Sequence, residues 1–215
     1  VADDILRNTD KIKYKPSEKR PLTPAEKKAV FDATYKYDSD QAYVYLIYGC
    51  GLRREECVAL TIFDFNFKKR EVSVSKAYEY ITNTPGVKDP KSANGIRTIP
   101  IPSKILPAIQ SYVESVKHSG RTQLFVTMRD KKPLTKSAYD KMWKRILESM
   151  QAVCKEDIVG LTGHVFRHNY CSSLCYQIPR VSIKSDTEAM VMNVYSHILA
   201  EREDVEGAVN DAINF

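Results

Sequence analysis

The stretch "DQAYVYLIYGC", residues 40–50, is apolar on most sides of a helix. A helix with so little polar face cannot lie on a surface, so it predicts a central element wrapped by other structure. Gly51 follows as a natural break before a second helical stretch, "LRREECVAL". Arg53 is thereby set at a helix junction, three residues ahead of Glu56, where a carboxylate can orient it.

The flanking patterns say what surrounds that helix. Upstream, Thr23-Pro24-Ala25-Glu26 reads as a helix start, with a capping Thr, a Pro at the first position and a Glu able to close a capping box. The helix is expected to run to about Tyr37. From Phe63 to Ile101 the period changes to two in "REVSVSKAYEYI" and briefly in "GIRTIPIP". Between them "NTPGVKDPKSANG" supplies turn residues, so a small antiparallel sheet with a long hairpin loop is predicted. Helical spacing returns in "SKILPAIQSYVESVKHSG", where Ile105, Ile109, Tyr112, Val113 and Val116 share a side and Gly120 is the stop. "LFV" then reads as a short buried strand or turn. From Thr135 another helix is expected, with Met142, Trp143 and Ile146 facing inward. The C-terminal "EREDVEGAVNDAINF" is acidic with an apolar stripe, the pattern of a helix that docks on protein.

At 215 residues the chain is long enough for one compact unit with a substantial core. Hydrophobic residues make up 43% and charged residues 28%, and no apolar run reaches the roughly 18–20 residues of a membrane span. The first ten residues carry neither the basic nor the apolar region of a signal peptide. The five cysteines, mostly within apolar segments, read as buried reduced thiols in a cytoplasmic protein.

The net charge of +6 is moderate, but its distribution is uneven. Residues 11–28 hold seven Lys or Arg against two Glu, the mark of an exposed basic lead-in, and residues 129–145 hold seven basic residues against two Asp. Either run alone would be an ordinary solvated surface. Together with a Lys-bearing hairpin they favour a polyphosphate partner, with Lys131, Lys132, Lys136, Lys141, Lys144 and Arg145 as candidate nucleic-acid contacts.

The stretch "LTGHVFRHNYCSSLC", residues 161–175, admits two chemistries. His164, His168, Cys171 and Cys175 fall at steps of four, three and four on one helix face, a possible metal stripe. Four positions on one side of a straight helix cannot surround a tetrahedral zinc, however, and free cysteine is among the most buried residue types. In the second chemistry His164 and Arg167, three apart with Thr162 as cap, address one phosphate near the helix start. An isolated His-x-x-Arg is weak, but Gly-Leu-Arg-x-x-Glu upstream supplies a second arginine.

Those two segments in order, with "PKSANGIRTIPIP" between them and "MVMNVYSHIL" after them, resemble the catalytic domain of the tyrosine recombinases, the phage and conjugative-transposon integrase family. The resemblance runs from about Pro21 to the end. It implies an α+β fold, mostly helical with a small three-stranded antiparallel sheet. Residues 1–20 would be a basic linker from a DNA-clamping domain, 21–199 the catalytic domain, and 200–215 a C-terminal helix suited to a neighbouring protomer. Arg53 and Arg167 match the family's clamp arginines, Glu56 its structural acid and His164 the histidine of the second box. Lys91 matches the hairpin lysine, with Lys88 second, and Tyr195 the nucleophile. The implied function is site-specific cutting and rejoining of double-stranded DNA through a 3′-phosphotyrosine, for integration and excision of a mobile element in the bacterial cytosol. The working form would be a tetramer on paired sites, with no cofactor. A DNA-gripping domain without cleavage and a zinc protein are the alternatives.

The sequence departs from the family at one clamp position. The residue nine before Tyr195, usually His or Trp, is Asp186, which would repel a phosphate; His197 is the candidate substitute. The short apolar helix that the family sets after a strand like "VSIK" is missing. Tyr195 is therefore short of reach unless the native chain carries more residues between Lys184 and Ser185.

Overall fold

The computed structural model describes residues 20–88 and 96–177, except for the side chains of 175–177. Helix α1 (Pro24–Asp32) starts with the expected capping box: Thr23 Oγ1 accepts from the Glu26 amide at 3.1 Å, and the Glu26 carboxylate accepts from the Thr23 amide at 2.9 Å. It ends at Asp32, well before Tyr37. The chain turns extended at Ala33, and Tyr35 instead donates its hydroxyl to the Val30 carbonyl, folding the segment back on the helix.

Helix α2 (Asp38–Gly49) is central, as its composition demanded. Tyr43, Val44, Leu46 and Ile47 are fully buried, and α2 packs against four helices. These are α3 (Arg54–Val58), α4 (Leu106–His118), α5 (Lys136–Gln151) and α6 (Gly163–Gln177). Tyr43 meets Phe125, Tyr139 and Trp143 edge-on, at centroid distances of 5.6, 5.7 and 6.2 Å. Its hydroxyl reaches that of Tyr139 at 3.0 Å, so these two buried phenols satisfy each other. Helix α4 ends at His118, and Gly120 just beyond its cap, with a φ of 73°, is the left-handed stop predicted for it.

The β region is richer than expected. A three-stranded antiparallel sheet has the order β1 (Phe65–Asn66), β2 (Glu71–Val74) and, on the far side, a last strand, Arg97–Pro100. Val72 faces Ile99 across the ladder. The alternation read through residues 70–81 breaks at Ser75 and Lys76, where the chain leaves this sheet for a separate hairpin of β3 (Ala77–Ile81) and β4 (Thr84–Lys88). The long loop expected from Asn83 onward is thus partly strand, with a tight turn at Thr82 and Asn83. A two-stranded hairpin leaves one side of each strand unpaired, and Pro85 fits there. The strand Arg97–Pro100 is β5.

The hairpin turn also helps to start α5. Asn83 accepts from the Lys136 amide through its carbonyl at 3.2 Å and from the Ser137 amide through Oδ1 at 2.8 Å, beside the Thr135 cap on Ala138. These bonds satisfy amides that a helix start leaves without partners. Met142 and Ile146 are buried and Trp143 is half-buried, as predicted. Among the described residues no helix is long and apolar enough to cross a membrane.

Candidate active site

Three arginines from three separate elements gather around one buried carboxylate. Glu56, on α3, is 6% exposed and accepts four N–H groups. The Arg53 amide reaches Oε2 at 2.9 Å, and Arg53 Nη1 reaches Oε1 at 3.0 Å. Arg97, on β5, grips the same carboxylate as a fork, Nη1 to Oε1 at 2.9 Å and Nη2 to Oε2 at 2.6 Å. Burial alone would push the Glu56 pKa up. The bonds and charge of Arg97, the Arg53 amide and the charge of Arg167 outweigh it and bring the group down to about 2. Glu56 is therefore an anion at any physiological pH.

Arg167, one turn into α6, is 1% exposed, the largest side chain fully buried among the described residues. Its Nη1 donates to the carbonyl of Gly51, which ties α6 to the α2–α3 junction two residues ahead of Arg53. Burial lowers its pKa, as do the charges of Arg53 and Arg97, against the opposing pull of Cys171 and Glu56. Gly51 is irreplaceable here for two reasons: its φ is 59°, and an added Cβ would stand 2.1 Å from Cδ1 of Tyr170. The glycine of Gly-Leu-Arg thus lets the Tyr170 ring close on the backbone whose carbonyl holds Arg167.

Arg53 keeps 45% of its side chain exposed, against 8% for Arg97. Of the three guanidiniums it is the one turned to solvent. His164 is exposed in the first turn of α6, one turn before Arg167. The cap beneath it is modest: the Val165 amide meets the Thr162 carbonyl at 3.0 Å and its hydroxyl at only 3.4 Å.

Arg97 was not among the sequence candidates, although a signal for it existed. Arg97, Ile99 and Ile101 share the inward parity of the strand and its continuation, and both isoleucines are buried. An arginine on that face needs a buried partner, and Glu56 is that partner. Lys88, the second-choice hairpin lysine, pairs with Glu79 across the hairpin. Lys91, Tyr195, Asp186 and His197 lie outside the described residues, as do the Lys184–Ser185 junction, residues 200–215 and the side chain of Cys175. Of the supposed metal stripe, His164 is exposed, His168 half-buried and Cys171 buried. Among the described residues no three His, Cys, Asp or Glu side chains form a group that could hold a metal.

On the basic face, Lys131, Lys132, Lys136, Lys141 and Lys144 are exposed. Arg145 differs: Nε and Nη2 bind the buried carboxylate of Asp40 at 3.0 and 2.9 Å, and its guanidinium also lies over the Tyr37 ring. It is spent on holding α5 to α2.

A fold of helices around a small sheet, with paired arginines braced by a buried glutamate, has the form of a tyrosine recombinase catalytic domain. Residues 20–178 match the Phage integrase family model, and the chain belongs to that family. It is 24% identical over 185 residues to the transposase from transposon Tn916 of Enterococcus faecalis, covering 77% of this chain and 44% of that protein. It is 31% identical over 156 residues to tyrosine recombinase XerA of Pyrococcus furiosus, covering 72% of this chain and 48% of the relative. The chain thus spans about half the length of the curated relatives it matches. Among solved structures, the Tn1549 transposon integrase in complex with transposon right end DNA aligns with a TM-score of 0.64 and 25% identity. That alignment covers 89% of this chain and 65% of the integrase chain.

Proposed function

We propose that this chain is the catalytic part of a site-specific recombinase that cuts and rejoins DNA strands through a 3′-phosphotyrosine, serving integration and excision of a mobile element. The observation that carries this reading is that Arg53 and Arg97 both bind one carboxylate, Glu56, with Arg167 buried close enough for its charge to act on the same group. Three guanidiniums against one carboxylate leave a pocket with surplus positive charge, suited to a phosphodiester and more so to the extra charge of its pentacoordinate transition state. The solved relative bound to transposon right end DNA supports the same substrate class.

In the proposed reaction Arg53 and Arg167 hold the non-bridging oxygens of the scissile phosphate. The Tyr195 oxygen attacks phosphorus, its phenolic proton passing to His164, as the bond from phosphorus to the 5′ oxygen breaks. Lys91 protonates the departing 5′ oxygen. The phosphotyrosine conserves the bond energy, so rejoining to a second strand requires no nucleotide. With guanidiniums doing the electrostatic work, the reading requires no metal. Every described tyrosine with a shifted phenol is pushed up, burial first, with Tyr48 and Tyr80 at about 12. Those phenols are poor nucleophiles as packed. The exposed lysines from Lys131 to Lys144 would track the DNA backbone, and a tetramer on paired sites would place two duplexes side by side.

The test is capture of a covalent adduct from a pool of randomised nicked duplexes on a denaturing gel. An adduct that survives EDTA and vanishes in Tyr195→Phe is the expected result. Salt-sensitive DNA binding with no adduct would instead make this a DNA-gripping domain. Unfolding in chelator would return the zinc reading.

A further inference from the structure

We propose that Arg97 is a positioning residue that occupies Glu56 so that Arg53 stays turned outward and available to a phosphate. This rests on the reading of Arg53 and Arg167 as a phosphate clamp and adds a residue that the clamp needs. The geometry separates two roles for two arginines on one acid. Arg97 uses both ends of its fork and is 8% exposed, while Arg53 gives Glu56 a single side-chain N–H and stays 45% exposed. A guanidinium has five N–H donors, so most of those on Arg53 are not spent on Glu56.

The arrangement is a competition. A carboxylate on an arginine three residues away, with nothing else to bind, would take that arginine as a bidentate pair. The acid would then stand where the phosphate should. Arg97 arrives from β5, a different part of the chain, and fills both carboxylate oxygens first. What remains for Arg53 is one bond from Nη1 and one from its amide, enough to fix the side chain's base without closing its fork. The charged groups around Glu56 are Arg53 from α3, Arg97 from β5 and Arg167 from α6. Arg167 is held separately, by the Gly51 carbonyl, so losing Arg97 would shift the balance at Arg53 first.

The experiment is a titration of the full chain with inorganic sulfate, an anion whose charge is constant from about pH 4 to about pH 7, followed by NMR of the arginine side chains. The variants are Arg53→Lys, Arg97→Met, Arg97→Lys and the double Arg97→Met with Glu56→Gln. Sulfate binding weakened by Arg53→Lys establishes the clamp on which the inference stands. Arg97→Met should then weaken sulfate binding by about tenfold or more at neutral pH, the worth of one charge-assisted bond. Removing the competing charge in the double variant should recover most of the loss.

A pH profile separates positioning from bulk. In Arg97→Met, affinity should rise as pH falls into the acid range and Glu56, no longer held down by Arg97, protonates and releases Arg53. The parent protein, whose Glu56 stays ionised, should show a smaller rise over the same range. A merely structural Arg97 would not produce that difference. If Arg97→Met does not fold, Arg97→Lys keeps the charge, loses the fork, and should show a smaller loss in the same direction. Parent-like sulfate affinity and pH profile in a folded Arg97 variant would overturn the inference while leaving the clamp intact. No effect of Arg53→Lys would overturn the clamp and the inference together.

Discussion

The pocket around Glu56 and the outer face of α5 are both rich in cations, yet they treat charge in opposite ways. In the pocket the guanidiniums are fixed by named partners, and two of the three are withdrawn from water: Arg97 on Glu56 and Arg167 on the Gly51 carbonyl, while Arg53 is held at one end and faces solvent. On α5 the lysines stand in solvent, with at most long pairings such as Lys144 to Glu148 at 3.9 Å. A buried, oriented charge acts strongly and cannot be exchanged. A solvated one contributes a small, additive and salt-screened attraction. The count of basic residues, which drew attention to residues 129–145, is a poor guide to where charge is buried and oriented.

The largest break in that comparison should come from Arg167→Ala, expected to lower single-turnover cleavage of a nicked substrate by about a hundred- to a thousandfold while leaving salt-sensitive DNA binding largely intact. Equal loss of both would put the pocket on the same footing as α5. Next, Gly51→Ala should destabilise the fold by about 2–5 kcal/mol, because it combines a left-handed backbone with a clash against Tyr170. Chemical denaturation measures this, and a loss under 1 kcal/mol would mean that α6 can shift away from the junction.

Acid titration sharpens the contrast. Glu56 is held at about 2, below its unfolded value near 4.5, so its contribution is fully present above about pH 4.5 and is lost as pH falls toward 2. That contribution is on the order of 3 kcal/mol, and Glu56→Gln should remove this part of the acid sensitivity.

On α5 two neighbours should diverge, and the exposed one should show the smallest effect of all. Lys144→Ala should leave stability unchanged within about 0.5 kcal/mol and reduce the salt slope of DNA binding by about 0.9. Arg145→Ala should cost about 3 kcal/mol, because it leaves Asp40 buried without its partner. Melting curves of the two variants decide it; equal stabilities would mean that Asp40 is neutral.

Much of the fold was legible because it is local. The cap at Thr23, the apolar wrap of α2, the stop at Gly120 and the inward stripe of α5 each depend on residues within a turn or two, and each is found as read. The errors fall where tertiary contacts decide. Helix α1 ends early because Tyr35 folds back on it, and β4 forms in a Pro- and Gly-bearing stretch because β3 lies ready to pair.

The candidate site divides along the same line. Sequence spacing by itself determined that Arg53 and Glu56 share a short helix start and that His164 and Arg167 share the first turns of another, since helical geometry fixes residues three apart. Only the tertiary structure decided that Arg167 is buried against Gly51, that Arg53 is the guanidinium left facing water, and that Arg97 joins Arg53 on Glu56. A carboxylate's choice among arginines 3 and 41 residues away depends on where three elements meet. No periodicity along the chain records that meeting.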